Sequence, residues 1–313
     1  MAAWKVLLTD GLEENGQEIL RKSAEVVNDP TVSAENLLKI VGQYDAMIVR
    51  GRTKVTSEVF TAGHKLKVVG RAGVGVDNID LDAAREHKVT VVNSPIATSV
   101  SVAELTMGLM LGMVREIPLG DNGIKNGQWL KKKMEGSELY EKTLGIIGFG
   151  RIGALVAQRA AVFGMKVIGY DPILDANEMK KRGGECVTLE ALYQQADIIS
   201  LHIPLTQESR NMINAESIAK MKKGVRIVCA ARGGIIDETA LLAGLDSGQV
   251  ASAALDVFAT EPPGVSALTT HQKVVCTPHV GAQTAEAQVR AASDIAHEVI
   301  AALNGEALRW KVA

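Results

Sequence analysis

The sequence predicts an α/β fold made of two doubly wound parallel sheets, and three observations lead to this prediction. Short runs rich in β-branched residues alternate with helical stretches along the chain. These runs are apolar throughout and do not alternate with polar residues, which is typical of strands buried on both faces of a parallel sheet. The chain has 313 residues, which is long for one core and favours two domains.

Ten runs are predicted to be strands, four in the first third of the chain and six in the rest. They are Val6–Leu8, Ala46–Val49, Val68–Gly70, Val89–Val92, Leu144–Ile147, Lys166–Tyr170, Ile198–His202, Val225–Cys229, Ala253–Val257 and Val274–Thr277.

Two long helices are also predicted. The first spans 101–117, because Ser101 and Glu104 form a capping-box pattern and Pro118 stops the run. The second is rich in alanine and spans 284–303. After the first helix comes a polar, basic stretch around Trp129, which is either a solvated arm or an arm that faces a partner.

Composition narrows the function classes. The 34 basic and 36 acidic side chains leave a net charge of −2, which argues against a nucleic-acid binder. The three cysteines include no CxxC pair, so we expect neither a disulfide framework nor a metal site. The uncharged run at 105–114 is too short for a bilayer, which needs about 20 apolar residues. These features predict a cytoplasmic protein with no membrane partner.

A glycine-rich motif predicts a dinucleotide site. Gly148, Gly150 and Gly153 form a GxGxxG pattern between a predicted strand and a predicted helix, and the next strand ends at Asp171. This order is that of a Rossmann βαβ unit, in which the helix N-terminus receives the pyrophosphate. Asp171 would accept hydrogen bonds from the ribose hydroxyls and repel a 2′-phosphate, so we expect NAD and not NADP.

Three further residues follow predicted strand ends, where α/β sheets place their ligands. His279 is suited to general acid–base work, and Glu261 would orient its imidazole. Arg232 is suited to holding a carboxylate through two bonds. Each residue has a plainer alternative. His279 could be a core histidine, Glu261 a turn residue before two prolines, and Arg232 a member of a surface ion pair.

Several motifs give the chain its resemblance to a known family. It resembles the D-isomer-specific 2-hydroxyacid dehydrogenases, and within them the branch that oxidises D-3-phosphoglycerate. The similarity covers nearly the whole chain and is carried by the motifs at 69–78, 101–105, 145–153, 231–234, 254–258, 261–263 and 278–281.

The resemblance implies a nucleotide domain at 98–285, inserted into a flavodoxin-like substrate domain formed by 1–97 and 286–313, with the active site in the cleft and a homodimer joined through the nucleotide domains. It implies catalytic roles for Arg232, Glu261 and His279. The cofactor contacts that it implies, beyond the three motif glycines and Asp171, are Arg151, Ile152, Val74, Ala230, Asp256 and Gly281.

The implied substrate contacts lie in the first domain, at Arg50, Arg52, Arg71, Gly73 and Gly75. Three arginines suit a phosphate together with a carboxylate, although surface ion pairs are the simpler explanation. The expected substrate is therefore a small 2-hydroxy or 2-oxo acid, first of all D-3-phosphoglycerate. The alternatives are glyoxylate or hydroxypyruvate reduction, and an NAD(H)-sensing protein like the corepressors of this fold.

Overall fold

The computed structural model describes residues 4–313, and this part of the chain contains twelve strands and twelve α-helices. The strands are β1 (Trp4–Leu8), β2 (Ala24–Asn28), β3 (Ala46–Val49), β4 (Val68–Arg71), β5 (Thr90–Asn93), β6 (Thr143–Ile147), β7 (Lys166–Tyr170), β8 (Glu185–Cys186), β9 (Ile198–Leu201), β10 (Val225–Cys229), β11 (Val250–Leu255) and β12 (Val274–Cys276).

The helices are α1 (Glu14–Arg21), α2 (Ala34–Ile40), α3 (Ser57–Ala62), α4 (Leu81–Glu86), α5 (Ser99–Val114), α6 (Ile117–Lys125), α7 (Arg151–Val162), α8 (Ala176–Lys181), α9 (Leu189–Gln195), α10 (Ala215–Lys220), α11 (Glu238–Ser247) and α12 (Ala285–Asn304).

The chain forms two compact units. The first comprises the residues up to Ser99 together with Ala282–Ala313, and the second is Val100–Gly281. The sequence-based boundaries lay at 97/98 and 285/286, two and four residues from these divisions.

The first unit is built on a parallel sheet in the order β2-β1-β3-β4-β5. Its inner strands β1, β3 and β4 are largely buried, between two separate apolar clusters. Helix α12 covers one face, and Gly70 of β4 allows its close approach, because a Cβ there would lie 2.6 Å from Val299 Cγ2.

The second unit is a parallel sheet in the order β12-β11-β10-β9-β6-β7-β8. The chain enters at the inner strand β6, builds outward through β7 and β8, and then returns to β9 on the other side of β6. This reversal between β6 and β9 is a topological switch point, where open α/β sheets bind ligands beyond the carboxyl ends of their strands. The predicted α/β class with two doubly wound sheets is confirmed.

All ten predicted strands are present, and the two that the sequence reading missed are edge strands. β2 has the partly exposed pattern of a strand with one covered face, and β8 has only two residues, both exposed. Neither needs a continuous apolar run, so neither has the pattern used to find buried strands.

The predicted bounds of the first long helix are wrong. α5 starts at Ser99, so Ser101 lies inside the helix and is buried, and Glu104 instead pairs with Arg159 at 3.2 Å. The helix ends at Val114, and Pro118 lies in the first turn of α6, where a missing N–H breaks no helical bond. The last helix starts one residue after Thr284, whose side chain caps it.

Within residues 4–313, no helix is both long and apolar enough to cross a membrane. The same residues hold no group of three or more His, Cys, Asp or Glu side chains placed to bind a metal ion.

Candidate active site

The glycine-rich turn joins β6 to α7 in the second unit, and its shape depends on the absence of side chains. Gly148 has a φ of +91°, and a Cβ there would lie 2.5 Å from the carbonyl oxygen of His202. A Cβ on Gly153 would overlap the carbonyl oxygen of Gly148. Strand and helix can therefore approach each other this closely only with glycine at both positions.

Gly150 is the N-cap of α7 and leaves the helix start open. Its backbone is extended and no side chain of residues 4–313 caps the helix. Apart from its chain neighbours, no atom of these residues lies within 4 Å of the position that a Cβ would take. Arg151 and Ile152 form the first helical positions. This open start with free N–H groups fits the pyrophosphate of a dinucleotide.

Asp171 follows β7 and is already anchored to the backbone. Its Oδ2 accepts a hydrogen bond from Phe149 N at 2.8 Å, and its Oδ1 accepts bonds from Ile173 N at 2.9 Å and Leu174 N at 3.3 Å. The carboxylate is thereby fixed beside the glycine turn. A carboxylate offers about four lone-pair sites, so acceptor capacity remains for ribose hydroxyls.

His279 and Glu261 form a direct pair in the second unit. His279 Nδ1 lies 2.7 Å from Glu261 Oε2, while Glu261 Oε1 accepts a hydrogen bond from Phe258 N at 3.1 Å. The side chains are 49% and 37% exposed, so both can be reached from solvent. Because Glu261 occupies Nδ1, the ring nitrogen that can exchange a proton with a ligand is Nε2.

Asp256 is fully buried and organises the loop that carries His279. Its Oδ1 accepts from Thr277 Oγ1 at 2.6 Å and from Val280 N at 2.9 Å, and its Oδ2 accepts from Gly281 N at 2.9 Å. Its carbonyl oxygen accepts from His279 N at 2.8 Å. The loop thus holds His279 at a φ of +53°, a conformation uncommon for a residue with a side chain.

Arg232 lies in the turn after β10, against the segment that leads to Glu261. A Cβ on Gly233 would overlap the carbonyl oxygen of Phe258, so the two backbones touch. Arg232 Nη1 donates to the carbonyl oxygen of Ala231 at 2.7 Å. Ala230 is buried at the start of this turn. Arg232, Glu261 and His279 therefore lie on neighbouring loops of one unit.

Burial shifts two pKa values near these loops. It raises the pKa of the Cys229 thiol to about 11, so this cysteine stays protonated at neutral pH. It lowers the pKa of His202 to about 4. His202 is partly exposed as a residue, but its Nδ1 atom is buried, and its Nε2 lies 2.8 Å from Ser200 Oγ. His202 is therefore neutral at physiological pH.

The predicted substrate arginines lie on two turns of the first unit. Arg71 ends β4, and its Nη1 donates to Ala72 O at 3.0 Å across Gly73, whose φ is +142° and whose missing side chain makes room for the guanidinium. Val74 and Gly75 continue this turn, and Asn93 Nδ2 donates to the carbonyl oxygen of Val74 at 2.7 Å.

Arg50 and Arg52 differ in how their side chains are engaged. Arg52 donates to the carbonyl oxygens of Val32, at 3.0 Å, and Thr9, and it pairs with Asp10 at 3.1 Å. Arg50 pairs with Glu13 at 3.1 Å, while its Nε is buried and has no hydrogen-bond partner in the described part of the chain. The unused donor therefore belongs to Arg50.

Sequence reasoning missed two residues that hold this turn, Asp10 and Asn78. Asn78 lies within a motif that carried the family resemblance, but no role was assigned to it. Asp10 lies two residues after the end of the first strand, and this position is the local signal it offers.

Comparison with known proteins identifies the family. Residues 107–281 match the model of the D-isomer specific 2-hydroxyacid dehydrogenase, NAD binding domain. A D-3-phosphoglycerate dehydrogenase of Methanocaldococcus jannaschii is 48% identical over 96% of this chain and 58% of its own length. One from Bacillus subtilis is 46% identical over 95% of this chain and 56% of its own length. The chain thus spans little more than half of these relatives.

The solved structures agree with this result. The crystal structure of a glyoxylate reductase from Paecilomyes thermophila superposes with a TM-score of 0.91 at 32% identity, covering 100% of this chain and 99% of that one. The match to an NAD-binding domain confirms NAD as the predicted cofactor. The chain belongs to the D-isomer specific 2-hydroxyacid dehydrogenase family.

Proposed function

We propose that this chain carries out the NAD-dependent oxidation of D-3-phosphoglycerate to 3-phosphooxypyruvate, the first step of serine biosynthesis. The observation that carries the chemistry is the 2.7 Å pair between His279 Nδ1 and Glu261 Oε2 in the unit that holds the GxGxxG turn. The substrate is supported by the 48% and 46% identity to relatives named D-3-phosphoglycerate dehydrogenase.

The proton is handled by His279. NAD⁺, when bound, supplies the hydride acceptor. Glu261 fixes the imidazole through Nδ1, and Nε2 takes the proton from the substrate hydroxyl during oxidation and returns it during reduction. Arg232 holds the substrate carboxylate and polarises the reacting oxygen.

The arginines of the first unit distinguish the substrates. D-3-phosphoglycerate carries a phosphate in addition to its carboxylate, and Arg50 and Arg71 are the candidates for binding it, with Gly73 and Gly75 shaping the second turn. A reductase for glyoxylate or hydroxypyruvate needs no phosphate site. Reduction of glyoxylate or hydroxypyruvate remains the second candidate function, because the solved glyoxylate reductase has the same fold at a TM-score of 0.91.

The test follows NADH absorbance with purified protein, NAD⁺ and D-3-phosphoglycerate, with hydrazine to trap the keto product. We expect saturable NADH formation that His279→Ala abolishes while NADH binding persists. If the protein binds NADH but forms no NADH from NAD⁺ and D-3-phosphoglycerate, the proposed substrate is contradicted. Glyoxylate and hydroxypyruvate reduction are then measured, and activity with neither leaves the NAD(H)-sensing function.

The proposal includes a cytoplasmic homodimer joined through the nucleotide-binding unit. Its support is a set of exposed apolar side chains in that unit, namely Ile117, Ile124, Trp129, Tyr140 and Val162. Trp129 is 79% exposed, beyond the end of α6. Sedimentation of the wild type and of Trp129→Glu tests this homodimer. We expect a dimer for the wild type only. An unchanged dimer in Trp129→Glu would show that Trp129 is not part of the contact.

A further inference from the structure

The turn that carries Arg50 and Arg52 is held from both sides by two side chains to which no role has been given. Asp10 lies two residues after the end of β1, and its side chain is 4% exposed. Its Oδ2 accepts from the backbone N–H groups of Arg50, at 2.7 Å, and Thr53, at 3.1 Å. Its Oδ1 accepts from the Thr53 hydroxyl and pairs with Arg52 at 3.1 Å. One carboxylate thus accepts from two backbone N–H groups and one hydroxyl of the turn and pairs with its Arg52 guanidinium.

Asn78 binds the opposite side of the same turn. Its Nδ2 donates to the carbonyl oxygens of Arg50, at 2.9 Å, and Thr53, at 2.6 Å. A backbone hydrogen bond adds to this, because Val55 N–H donates to the carbonyl oxygen of Asn78 at 2.8 Å. Asp10 and Asn78 together satisfy the N–H and the C=O of the same two residues, and we refer to this arrangement as the Asp10–Asn78 clamp.

The clamp fixes a turn that has little else to fix it. Gly51, at its tip, is exposed, and within the described part of the chain no atom beyond its two neighbours lies within 4 Å of the position a Cβ would take. Backbone order at Arg50 therefore depends on these hydrogen bonds, and the direction in which the Arg50 side chain leaves the turn depends on that order. The Arg52 guanidinium is part of the support, because it bonds to Asp10 and to two backbone carbonyls.

We propose that Asp10, together with Asn78, is the positioning residue that aims Arg50 at the anionic end of the substrate, and that Arg52 braces this arrangement and does not bind the ligand. This inference rests on the proposed function for the identity of the substrate. The Arg50 side chain has the features the role needs, since it is 23% exposed and its Nε has no partner among the described residues.

The first test is a double-mutant cycle with Asp10→Ala and Arg50→Ala, read as KM and kcat for D-3-phosphoglycerate and as the Kd for NADH. A buried residue that acts only through Arg50 should raise KM about tenfold, with kcat and the NADH Kd within about twofold of wild type. In the Arg50→Ala background, Asp10→Ala should add no more than about a twofold increase in KM. Additive effects would overturn the proposal, as would a larger loss of kcat than of KM.

The matched control is Asp82→Ala in the same unit. Asp82 is 91% exposed and pairs only locally with Arg85, so its removal should leave KM unchanged. Arg52→Ala should change KM in otherwise wild-type protein, but it should not change KM further in Asp10→Ala protein. An Arg52 effect of equal size in both backgrounds would return Arg52 to the ligand contacts.

The second test does not depend on the substrate. Amide hydrogen exchange at Arg50 and Thr53 should accelerate in Asp10→Ala and not in Asp82→Ala, because Asp10 is the acceptor of both N–H groups. Unchanged protection at both amides would refute the clamp. If the wild type does not turn over D-3-phosphoglycerate, the proposed function fails, and this exchange measurement still decides whether Asp10 orders the turn.

A folding failure of Asp10→Ala would not block either test. Asn78→Asp keeps the size of the side chain and removes both Nδ2 donors, so it releases the turn from the other side. It should raise KM in wild-type protein and add little in Arg50→Ala. A normal KM in folded Asn78→Asp would count against the proposal.

Discussion

Replacing Asp256 by asparagine separates two roles for this residue, a contact to the nicotinamide and a structural support for the His279 loop. The change is isosteric and converts one carboxylate oxygen into an NH₂ group. Whichever way the amide is oriented, either Val280 N–H or Gly281 N–H then faces a donor and loses its acceptor. Thr277 is less affected, because its hydroxyl can accept as well as donate.

The magnitude follows from burial. Asp256 and Gly281 are buried and Val280 is half-buried, so water compensates the orphaned N–H poorly, and such a group costs about 1–3 kcal/mol. For a unit of this size, Tm falls by about 2–4 °C per kcal/mol, which gives a fall of about 2–12 °C. Displacement of His279 should also lower kcat by about tenfold or more.

The assay is thermal unfolding of the protein without NAD, followed by kcat and the Kd for NADH. The control is Asp246→Asn in the same unit, since the Asp246 side chain is 66% exposed and lies 3.5 Å from His271 Nε2 at the surface. A pure cofactor contact predicts the opposite pattern, with an unchanged Tm without NAD and a weaker NADH Kd. That pattern would refute the structural role assigned to Asp256.

Three further predictions address the other loops of this unit. Gly153→Ala should abolish NADH binding, because its Cβ would overlap the Gly148 carbonyl oxygen, and calorimetry showing wild-type NADH affinity would contradict the packing argument. Glu261→Gln should lower kcat by about 10²-fold or more while the Kd for NADH stays within about twofold, because His279 loses its charged partner at 2.7 Å; unchanged kcat would remove Glu261 from the mechanism. The third prediction concerns His202: its pKa is lowered from 6.5 to about 4 by burial, so the unfolded chain binds more protons between these values and stability should fall as pH drops from 6.5 to 4. The loss of unfolding free energy is at most about 3 kcal/mol. Urea unfolding at pH 7 and pH 5 should show a smaller effect of pH in His202→Gln than in the wild type. Equal effects of pH in both proteins would rule out His202 as the cause.

The sequence was informative about the site wherever a motif fixes local geometry. The GxGxxG turn between β6 and α7 could be read directly, because only glycine tolerates the backbone approach at Gly148 and Gly153. The edge strand β8 could not be read, because a two-residue strand at a sheet edge has no pattern of its own. The start of α5 was misplaced because Ser101 and Glu104 fit a cap locally, while the helix begins two residues earlier, at Ser99, and buries Ser101.

The roles of individual acidic residues were beyond sequence reasoning for a different reason. Asp256 and Asp10 both follow strand ends, as ligand-binding carboxylates often do, yet the structure uses each to accept hydrogen bonds from its own loops. Their partners lie 21 to 43 positions away along the chain, so no local pattern reveals them.

The sequence by itself determined the class of the fold, the dinucleotide motif and the types of side chain available for proton transfer, because all three depend on local spacing and on side-chain chemistry. Only the tertiary structure decided which groups meet. It placed Glu261 Oε2 2.7 Å from His279 Nδ1, paired Arg52 with Asp10, and left Arg50 Nε without a hydrogen-bond partner among residues 4–313. The physical reason is that a hydrogen bond depends on distance and direction in space, and the parallel sheets bring the ends of separate strands to one edge whatever their separation along the chain.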